Sequence, residues 1–543
     1  MESDNTRKSL LGAEYSLPSE SIGGLFFRAC IDFPSRFFFR TWDGRKTTYA
    51  EALGVVSHVL GQFRQLGLNE GDCIVSYLED TMQAAYLSLA CAISGVQFSP
   101  LSPSFSHNYL EALVRRTSSL FVFSSQEHVL GLSRRNLNPI DMQTFLDSAP
   151  TSESHLGTLP VVSGQDIYMI QPTSGSTGEP KLVLRDHHSL LRYAKYVGAE
   201  INDRPDQCER FLCVAALTHA MGFHMYTTAL SMAAELLIPE SIDTKACLEQ
   251  IRSLDPTILP MTPRVLQSLH RQHSASESSK PFFFGPSARY LLTAGSPGCP
   301  DLLRGVKNLG IKVIEFYGSS ETSLLSLTPR EGWKPGHAGK VLPDVDIKLS
   351  PEGELLVKSP GQMVAYLNDP DRTVQTYTSD GYYRTGDLGQ IDSEGYVRIL
   401  GRSRDVFNTP EGSNIYPARI ETLIESIPEV NQTILFGDRM PFLTALISAG
   451  KKVSLETIND ALLVINESLE SMEKIRRFVV VDQPLLSDAY CSVGPGKVRR
   501  DRKAAERIYG SLVAEHQSIP VTQRSPIRST RTASLGNGKG PNR

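Results

Sequence analysis

The sequence lacks the features that mark several classes of protein. Its 8 cysteines include no Cys-x-x-Cys pair, so neither zinc-ligand spacing nor a disulfide framework is indicated. No apolar run approaches the roughly 18 residues that span a bilayer, and the opening residues, MESDNTRKSLL, lack the apolar core of a signal peptide. The net charge of −4 gives no reason to expect nucleic acid as a partner. We therefore expect a cytoplasmic location without a transmembrane segment.

The chain is long, and its apolar residues alternate between two periods. With 543 residues, 40% of them hydrophobic, it exceeds the size of one ordinary core. Thr48 and Glu51 form a capping-box pair before a helical pattern that ends at Gly67. A second helical stretch, Thr81 to Ile93, stops at Gly95. The extended runs are Cys73–Tyr77, Val96–Phe98, Ile167–Ile170, Tyr290–Thr293, Lys312–Phe316, Glu354–Lys358 and Tyr396–Leu400. This alternation predicts an α/β fold with layered sheets, many strands being parallel.

The composition changes near the end of the chain. Residues 520–543 contain 5 basic residues, no acidic residue and many serines, threonines, glycines and prolines. Such a segment cannot bury enough apolar surface to fold, which predicts a disordered basic tail. Its composition leaves open both a phosphorylation target and a flexible end without a role.

The run Thr173–Lys181, TSGSTGEPK, is the most informative in the chain. Its glycines let backbone N–H groups converge, its hydroxyls add donors around the same hollow, and its lysine adds a positive charge. Such a hollow suits a polyphosphate. The spacing G-x-x-G-x-x-K differs from the P-loop pattern G-x-x-x-x-G-K-[ST]. On these residues alone, a polar surface loop is an equal alternative. The members between the two ends are Ser174, Gly175, Ser176, Thr177 and Gly178.

Four further stretches follow this run in a fixed order. They are YGSSE at Tyr317–Glu321, YRTGDL at Tyr383–Leu388, GRSRD at Gly401–Asp405 with IYPARIE closing at Glu421, and GKVRR at Gly496–Arg500. Together with the glycine-rich run they resemble the motifs of the adenylate-forming, or AMP-binding, superfamily. Its acyl-CoA synthetases are the most similar members. The resemblance covers residues 20–510, and five motifs in register make it specific.

The resemblance implies a fold and a reaction. A large N-terminal adenylation domain (1–400) would be joined to a small α+β domain (401–519) by a hinge near 402–405. In this family a carboxylate attacks the α-phosphate of ATP, giving an acyl-adenylate and pyrophosphate. A thiol, usually that of CoA or of a carrier-protein phosphopantetheine, then takes the acyl group. The implied cofactors are ATP, Mg²⁺ and CoA, or the carrier-protein phosphopantetheine.

The resemblance also assigns a nucleotide site. The run Thr173–Lys181 would hold the β- and γ-phosphates, with Lys181 as a catalytic residue, and Glu321 would be the magnesium ligand. Ser320, which replaces the usual threonine, would donate to the α-phosphate. Asp387 would accept both ribose hydroxyls, with Arg402 beside it. The other nucleotide-binding positions, which include the two walls of the adenine slot, are Ala294, Gly295, Ser296, Tyr317, Gly318 and Ser319.

Three further assignments concern the mobile part of the family's enzymes. Lys497, in GKVRR, would bridge the substrate carboxylate and the α-phosphate during adenylation. Arg404 would be the pivot of the hinge. The segment 406–412, ending at Gly412, would face the incoming thiol in the second half-reaction.

The resemblance also implies that the segment containing LTHAMG shapes the pocket for the acid, because the family often has an aromatic residue or a histidine there. Its candidate residues are His219, Met221, Gly222 and Phe223, and each of the apolar ones can equally be core packing. The surrounding ALTHAMGFHMYTT has no acidic residue, so a buried α-ammonium would lack a counter-charge, which argues against an α-amino acid. An apolar carboxylic acid is the better prediction. His187 and His188 have no spacing that suggests a metal, and we assign no catalytic role to His187.

Departures from the family pattern leave the thiol open. Leu182 and Ala365 stand where glycine is usual, and Asn408 stands where a lysine is common. The interval between Glu321 and Tyr383 has no room for the segment that restrains the small domain of fatty acyl-AMP ligases, which favours a CoA ligase. The alternatives are an enzyme that loads a carrier protein in a biosynthetic pathway, and an inactive nucleotide-binding relative that serves as an interaction protein.

Overall fold

The structure is a computed structural model, and it describes residues 21–148, 160–173, 181–240, 247–276, 284–295, 298–410, 413–450, 453–492, 498–514 and 519–522. The helices, in chain order, are α1 Ile22–Asp32, α2 Tyr49–Gln65, α3 Thr81–Ser94, α4 His107–Thr117, α5 Gln126–Ser133, α6 Met142–Asp147, α7 His187–Ile201, α8 Ala220–Ser231, α9 Cys247–Leu254, α10 Pro263–Ser276, α11 Pro300–Asn308, α12 Pro370–Gln375, α13 Pro417–Glu425, α14 Leu455–Glu467 and α15 Arg502–Val513. Two short 3₁₀ helices lie at Ser403–Asp405 and Ser471–Glu473.

The strands are numbered in the same way. They are β1 Phe37–Thr41, β2 Lys46–Thr48, β3 Cys73–Tyr77, β4 Gln97–Pro100, β5 Phe121–Ser124, β6 Pro139–Asp141, β7 Ile167–Thr173, β8 Lys181–Asp186, β9 Arg210–Leu212, β10 Glu235–Ile238, β11 Ile258–Pro260, β12 Tyr290–Thr293, β13 Lys312–Ser319, β14 Ser323–Leu327, β15 Lys340–Val341, β16 Asp346–Leu349, β17 Glu354–Lys358, β18 Ala365–Tyr366, β19 Tyr383–Ile391, β20 Val397–Arg402, β21 Phe407–Asn408, β22 Asn414–Ile415, β23 Val430–Phe436, β24 Leu443–Ala449, β25 Ile475–Val481, β26 Tyr490–Ser492, β27 Val498–Arg500 and β28 Ile519–Pro520.

Two large sheets organise the first 400 residues. One has the strand order β15-β14-β13-β12-β11-β9-β10-β1-β2, and the other has the order β18-β8-β7-β4-β3-β5-β6. In each sheet the central strands pair in parallel and antiparallel strands lie at an edge. Parallel strands are buried on both faces, and all five residues of β3 are accordingly buried. The predicted α/β class with layered, largely parallel sheets is confirmed.

One hydrophobic core joins the two large sheets. It includes buried residues from both sheets and from helices α1, α2, α3, α7 and α8. Helix α3 is apolar on most sides and ends at Gly95, whose φ of 74° is the left-handed conformation that glycine adopts without strain. The predicted capping box of α2 is present, since the Thr48 hydroxyl accepts from the Glu51 N–H and the Glu51 carboxylate accepts from the Thr48 N–H.

A separate α+β unit forms from the last part of the chain. Its sheet has the order β23-β24-β25-β28 and is covered by α13, α14 and α15. Two hydrophobic clusters draw only on residues from Phe407 onwards. Two arginines of α10 reach this unit: Arg264 donates to the Tyr490 hydroxyl at 2.7 Å, and Arg271 donates to the Val430 carbonyl oxygen. Helix α10 of the large unit therefore contacts the small unit, and α13 of the small unit contacts β20.

The first residues of the predicted tail, 520–522, pack against the small unit. Pro520 pairs with Arg477 in β25, and the Thr522 N–H donates to the Asn459 side chain at 3.2 Å. Residues 523–543 lie outside the described residues. No helix in the described part of the chain is long and apolar enough to cross a membrane.

Candidate active site

A β-hairpin frames the glycine-rich run. Strands β7 and β8 pair in an antiparallel register that sets Thr173 directly opposite Lys181. Both residues are partly buried. The predicted phosphate-binding residues between them, which lie outside the described residues, are Ser174, Gly175, Ser176, Thr177 and Gly178. The hairpin brings the first and last residues of the motif side by side, as a phosphate-binding turn requires.

Lys181 and Glu321 are linked through one tyrosine hydroxyl. The Lys181 ammonium donates to the Tyr366 hydroxyl at 3.5 Å, and that hydroxyl donates to Glu321 Oε1 at 3.3 Å. Burial, followed by the nearby Glu321 carboxylate, raises the pKa of the Tyr366 phenol. The contact places the two charged residues of the predicted phosphate and magnesium sites on either side of a single oxygen. Tyr366 was not among the residues predicted from the sequence.

A tight turn carries Ser320 and Glu321. The Ser319 hydroxyl accepts from the N–H groups of Glu321 and Thr322, each at 3.2 Å. Gly318 precedes it in β13, and a Cβ atom there would lie 2.0 Å from the Ser323 carbonyl oxygen. Only glycine fits this close approach of two strands, which explains the glycine of YGSSE.

The carbonyl of Ser320 is held by a buried arginine. Arg185, in β8, donates to the Ser320 carbonyl oxygen and, at 3.0 Å each, to the hydroxyl and carbonyl oxygens of Ser189. Its side chain is fully buried, and burial lowers its pKa to about 10. Because Arg185 and Lys181 share one face of β8, the strand that follows the predicted phosphate-binding run also fixes the YGSSE turn. Their spacing of four residues was the sequence signal that could have identified Arg185.

Asp387 joins two predicted parts of the nucleotide site. Its Oδ2 accepts from the Tyr317 hydroxyl at 2.7 Å, and its Oδ1 lies 3.0 Å from Arg402 Nε. The antiparallel pairing of β19 with β20 sets Asp387 opposite Arg402, whose Nη1 also donates to the Thr385 carbonyl oxygen at 3.0 Å. The Asp387 charge is the main reason that the pKa of Arg402 is raised. The predicted ribose-binding carboxylate and the tyrosine of the predicted adenine slot are thus in direct contact.

The two walls of the predicted adenine slot come from neighbouring parallel strands. Thr293, at the end of β12, pairs with Glu315 in β13, so Ala294 and Gly295 leave the sheet at the same edge as Tyr317. Gly295 has a φ of 94°, which suits glycine. Ser296 lies outside the described residues. The carboxyl ends of parallel strands are the usual place for a ligand in such sheets.

Helix α8 brings part of the predicted acid pocket together. Met221 and Gly222 line a narrow cavity of about 10 Å³, which has room for one water molecule. A Cβ atom on Gly222 would lie 2.2 Å from the Ala216 carbonyl oxygen, so only glycine lets the helix approach the backbone of the segment that follows β9. The other lining residues are Phe211, Leu212, Cys213, Val214, Ala215, Met225, Tyr226, Leu236 and Pro260.

The other two predicted pocket residues differ in position. His219 caps α8, and its carbonyl oxygen accepts from the Phe223 N–H at 2.9 Å. Phe223 is buried in the core, with its ring 6.1 Å from that of Tyr168 and 5.8 Å from that of Tyr226. It does not line the cavity, because the helical period turns it away from the face shared by Met221 and Met225.

His187 has a structural position. Its Nδ1 accepts from the Ile22 N–H at 3.3 Å, and its ring stacks on Tyr168 at 4.7 Å. Burial lowers the pKa of His187 to about 4, so the ring is neutral at pH 7. No group of His, Cys, Asp and Glu side chains in the described ranges has the geometry of a metal site.

Three predicted residues belong to the part of the chain that is expected to move, and the structure describes one of them. Arg404 is exposed in the 3₁₀ helix Ser403–Asp405, between β20 and β21, where a pivot would be expected. Gly412 and Lys497 lie outside the described residues. The strands that flank Lys497, β26 and β27, pair as a hairpin. The roles of these three residues stay predictions.

Residues 26–367 match the AMP-binding enzyme family, and the chain belongs to that family. The resemblance that the five motifs carry to adenylate-forming enzymes is thereby confirmed.

Similar proteins include ligases and solved complexes. An indoleacetate–CoA ligase of Aromatoleum aromaticum is 27% identical over 489 residues, which cover 84% of this chain and 92% of the relative. Long-chain-fatty-acid–CoA ligase FadD15 of Mycobacterium tuberculosis is 23% identical over 464 residues, covering 74% of this chain and 75% of the relative. O-succinylbenzoate coenzyme A synthetase from Bacillus subtilis in complex with AMP superimposes with a TM-score of 0.72 at 22% identity, covering 85% of this chain and 95% of that chain. ATP-bound MatB from Rhodopseudomonas palustris gives 0.73 at 22% identity, with coverages of 90% and 99%. These likenesses confirm the fold.

Proposed function

We propose that the protein activates an apolar carboxylic acid with ATP and transfers the acyl group to CoA. The observation that carries this proposal is a line of contacts that joins residues of both large sheets to the four-stranded sheet β16-β17-β19-β20. Its first part runs from Lys181 through Tyr366 to Glu321. Its second part runs from Tyr317, near the end of β13, to Asp387 and Arg402. A cation, a hard-metal ligand and a ribose acceptor in this order match the parts of magnesium-bound ATP.

The residues have distinct tasks in this proposal. Lys181 offsets charge on the β- and γ-phosphates, and Ser320 donates to the α-phosphate. Asp387 binds both ribose hydroxyls with its two oxygens, while Arg402 pairs with the carboxylate and orients it. Lys497 holds the carboxylate in line with the α-phosphate. The carboxylate oxygen then forms the new P–O bond and pyrophosphate leaves.

Glu321 fits a magnesium ion. It is an anionic oxygen donor, which a hard cation requires, and one of its oxygens is already oriented by the Tyr366 hydroxyl. When bound, magnesium would neutralise charge on the phosphates.

The cavity supports an apolar acid. Its lining is almost entirely aliphatic and aromatic, with Met221 and Met225 on one wall. Methionine side chains are flexible, so these two can move to admit a substrate larger than the present space. The relatives are ligases of indoleacetate, of long-chain fatty acids and of 2-succinylbenzoate, all of them CoA ligases, which supports CoA as the thiol.

The expected compartment agrees with this chemistry. The seven cysteines whose side chains the structure describes are free thiols, and five of them are buried. Burial raises the pKa of Cys30, Cys91 and Cys213, so these thiols are unreactive at pH 7. Free thiols favour the reducing cytoplasm, where we expect the enzyme to act.

A pyrophosphate-release assay over a panel of aryl, arylacetic and fatty acids tests the proposal. We expect release with ATP, Mg²⁺ and one class of acid, and thioester only when CoA is added. Thioester with a holo carrier protein but not with CoA would contradict CoA as the acceptor. Binding of ATP without release for any acid would indicate an inactive nucleotide-binding protein.

A further inference from the structure

Tyr366 belongs to the strand beside the phosphate loop. It ends β18, which pairs with β8 so that Tyr366 lies opposite Val183, two residues after Lys181. The side chain is 3% exposed, and the Lys181 ammonium lies 5.2 Å from the centre of its ring as well as 3.5 Å from its hydroxyl. Backbone pairing and burial therefore fix the phenol of Tyr366 beside the Lys181 side chain.

The phenol has a defined proton arrangement. A tyrosine phenol has an ordinary pKa of about 10, so it keeps its proton at pH 7. It can then accept from Lys181 and donate to Glu321 at the same time, which is how the two hydrogen bonds run. The Tyr366 hydroxyl is therefore hydrogen-bonded to both charged side chains.

Opposite charges this close attract each other strongly in a partly buried site. A direct ion pair between Lys181 and Glu321 would occupy the lysine needed for phosphate and the carboxylate needed for magnesium. The structure has no such pair between these two described residues; the Tyr366 hydroxyl stands between them.

We propose that Tyr366 is a positioning residue for the ATP-dependent step. Its hydroxyl keeps Lys181 and Glu321 apart and oriented for magnesium-bound ATP. Without this hydroxyl, Lys181 and Glu321 form a direct ion pair that magnesium-bound ATP must break. This inference rests on the proposed function, because it assigns phosphate and magnesium to those two residues.

The variant Tyr366→Phe removes only the hydroxyl and keeps the ring under Lys181. A matched control is Tyr377→Phe, because Tyr377 is a partly buried neighbour whose ring contacts Tyr383 at 5.6 Å. We expect the dissociation constant of a non-hydrolysable ATP analogue, measured with Mg²⁺ by calorimetry, to rise roughly tenfold in Tyr366→Phe. The control should bind like the wild type. The Mg²⁺ concentration for half-maximal pyrophosphate exchange should rise in Tyr366→Phe alone.

A double-mutant cycle adds a readout that a purely structural role would not move. In a Lys181→Met background the ion pair cannot form, so adding Tyr366→Phe should weaken analogue binding much less than it does in the wild type. Equal losses in both backgrounds, or wild-type affinity in Tyr366→Phe, would overturn the proposal. So would a lowered melting temperature with an unchanged Mg²⁺ requirement. If the wild type binds the analogue yet no acid releases pyrophosphate, the proposed function fails, while this binding cycle still decides the role of Tyr366.

Discussion

Individual charged residues of the site are each oriented by an uncharged partner. Tyr317 donates to Asp387, and Tyr366 donates to Glu321. Burial raises the pKa of both phenols, so each remains a donor across the physiological range. Preorganised donors of this kind let a carboxylate act without reorganisation when a ligand binds.

Asp387→Ala should weaken ATP binding. The change removes a charged acceptor for two ribose hydroxyls. Losing hydrogen bonds of this kind should lower the affinity for the ATP analogue roughly tenfold or more. Calorimetry with the ATP analogue measures it. The control is Asp380→Ala, because Asp380 is an exposed aspartate that pairs with Lys348 in β16. Unchanged affinity in Asp387→Ala would make Asp387 only a structural residue.

Glu315 predicts a pH-dependent stability. This residue lies two positions before Tyr317, and burial raises its pKa to about 7, against which the 2.7 Å hydrogen bond from Trp333 Nε1 acts. Because the folded pKa exceeds the unfolded one, the folded state binds the extra proton between about pH 4.5 and 7. The free energy of unfolding should therefore fall as pH rises through that window, by on the order of 3 kcal/mol or less.

Glu315→Gln isolates this effect. The amide keeps an acceptor for Trp333 but cannot ionise, so the variant should gain stability relative to the wild type as pH rises from 5 to 8. Melting temperatures of both proteins across that range give the difference. A difference that does not vary with pH would mean that Glu315 is ionised in the folded state.

At the scale of the element, strand β13 sets the site through the backbone. A Cβ atom at Gly318 would meet the Ser323 carbonyl oxygen, so Gly318→Ala should separate β13 from β14 and displace the YGSSE turn. We expect a lower melting temperature and at least a roughly tenfold loss of pyrophosphate exchange, since small misplacements of reacting groups are costly. Gly305→Ala in α11, where the added methyl meets nothing within 4 Å, is the control. Equal behaviour of the two variants would contradict this reading.

The nucleotide-binding motifs can be identified from the spacing of residues along the sequence, whereas the contacts that orient their side chains depend on strand pairing. The sequence predicts β3, β12 and β17 with their observed bounds, and it identifies Asp387 and Glu321 as candidates. It does not predict Tyr366, because its approach to Lys181 requires β18 to pair with a strand far away in the chain. Phe223 illustrates the converse, since its neighbours in sequence line the cavity while the helical turn directs Phe223 into the core.

The whole molecule is expected to work by domain rotation. The small unit contacts α10 through Arg264 and Tyr490, and the exposed Ser403–Asp405 segment connects it to the large unit. We propose that a hinge at this connecting segment permits rotation of the small unit between the two half-reactions.

Lys497→Ala should abolish adenylation yet still convert supplied acyl-adenylate to thioester. Arg404→Pro should adenylate normally but transfer poorly, because proline fixes φ at the pivot. Separate assays of the two half-reactions on each variant measure this. If Lys497→Ala impaired both steps equally, rotation of the small unit would lose its support.

The central claim is that a carboxylate attacks the α-phosphate of ATP. Supplying the accepted acid with both carboxyl oxygens replaced by oxygen-18 tests it most directly, with CoA present and the products read by mass spectrometry. We expect one labelled oxygen in AMP and the other in the thioester, because the P–O bond formed in the first step is kept when the thiol attacks the acyl carbon and displaces AMP. Unlabelled AMP, or label in inorganic phosphate with ADP as the product, would contradict it.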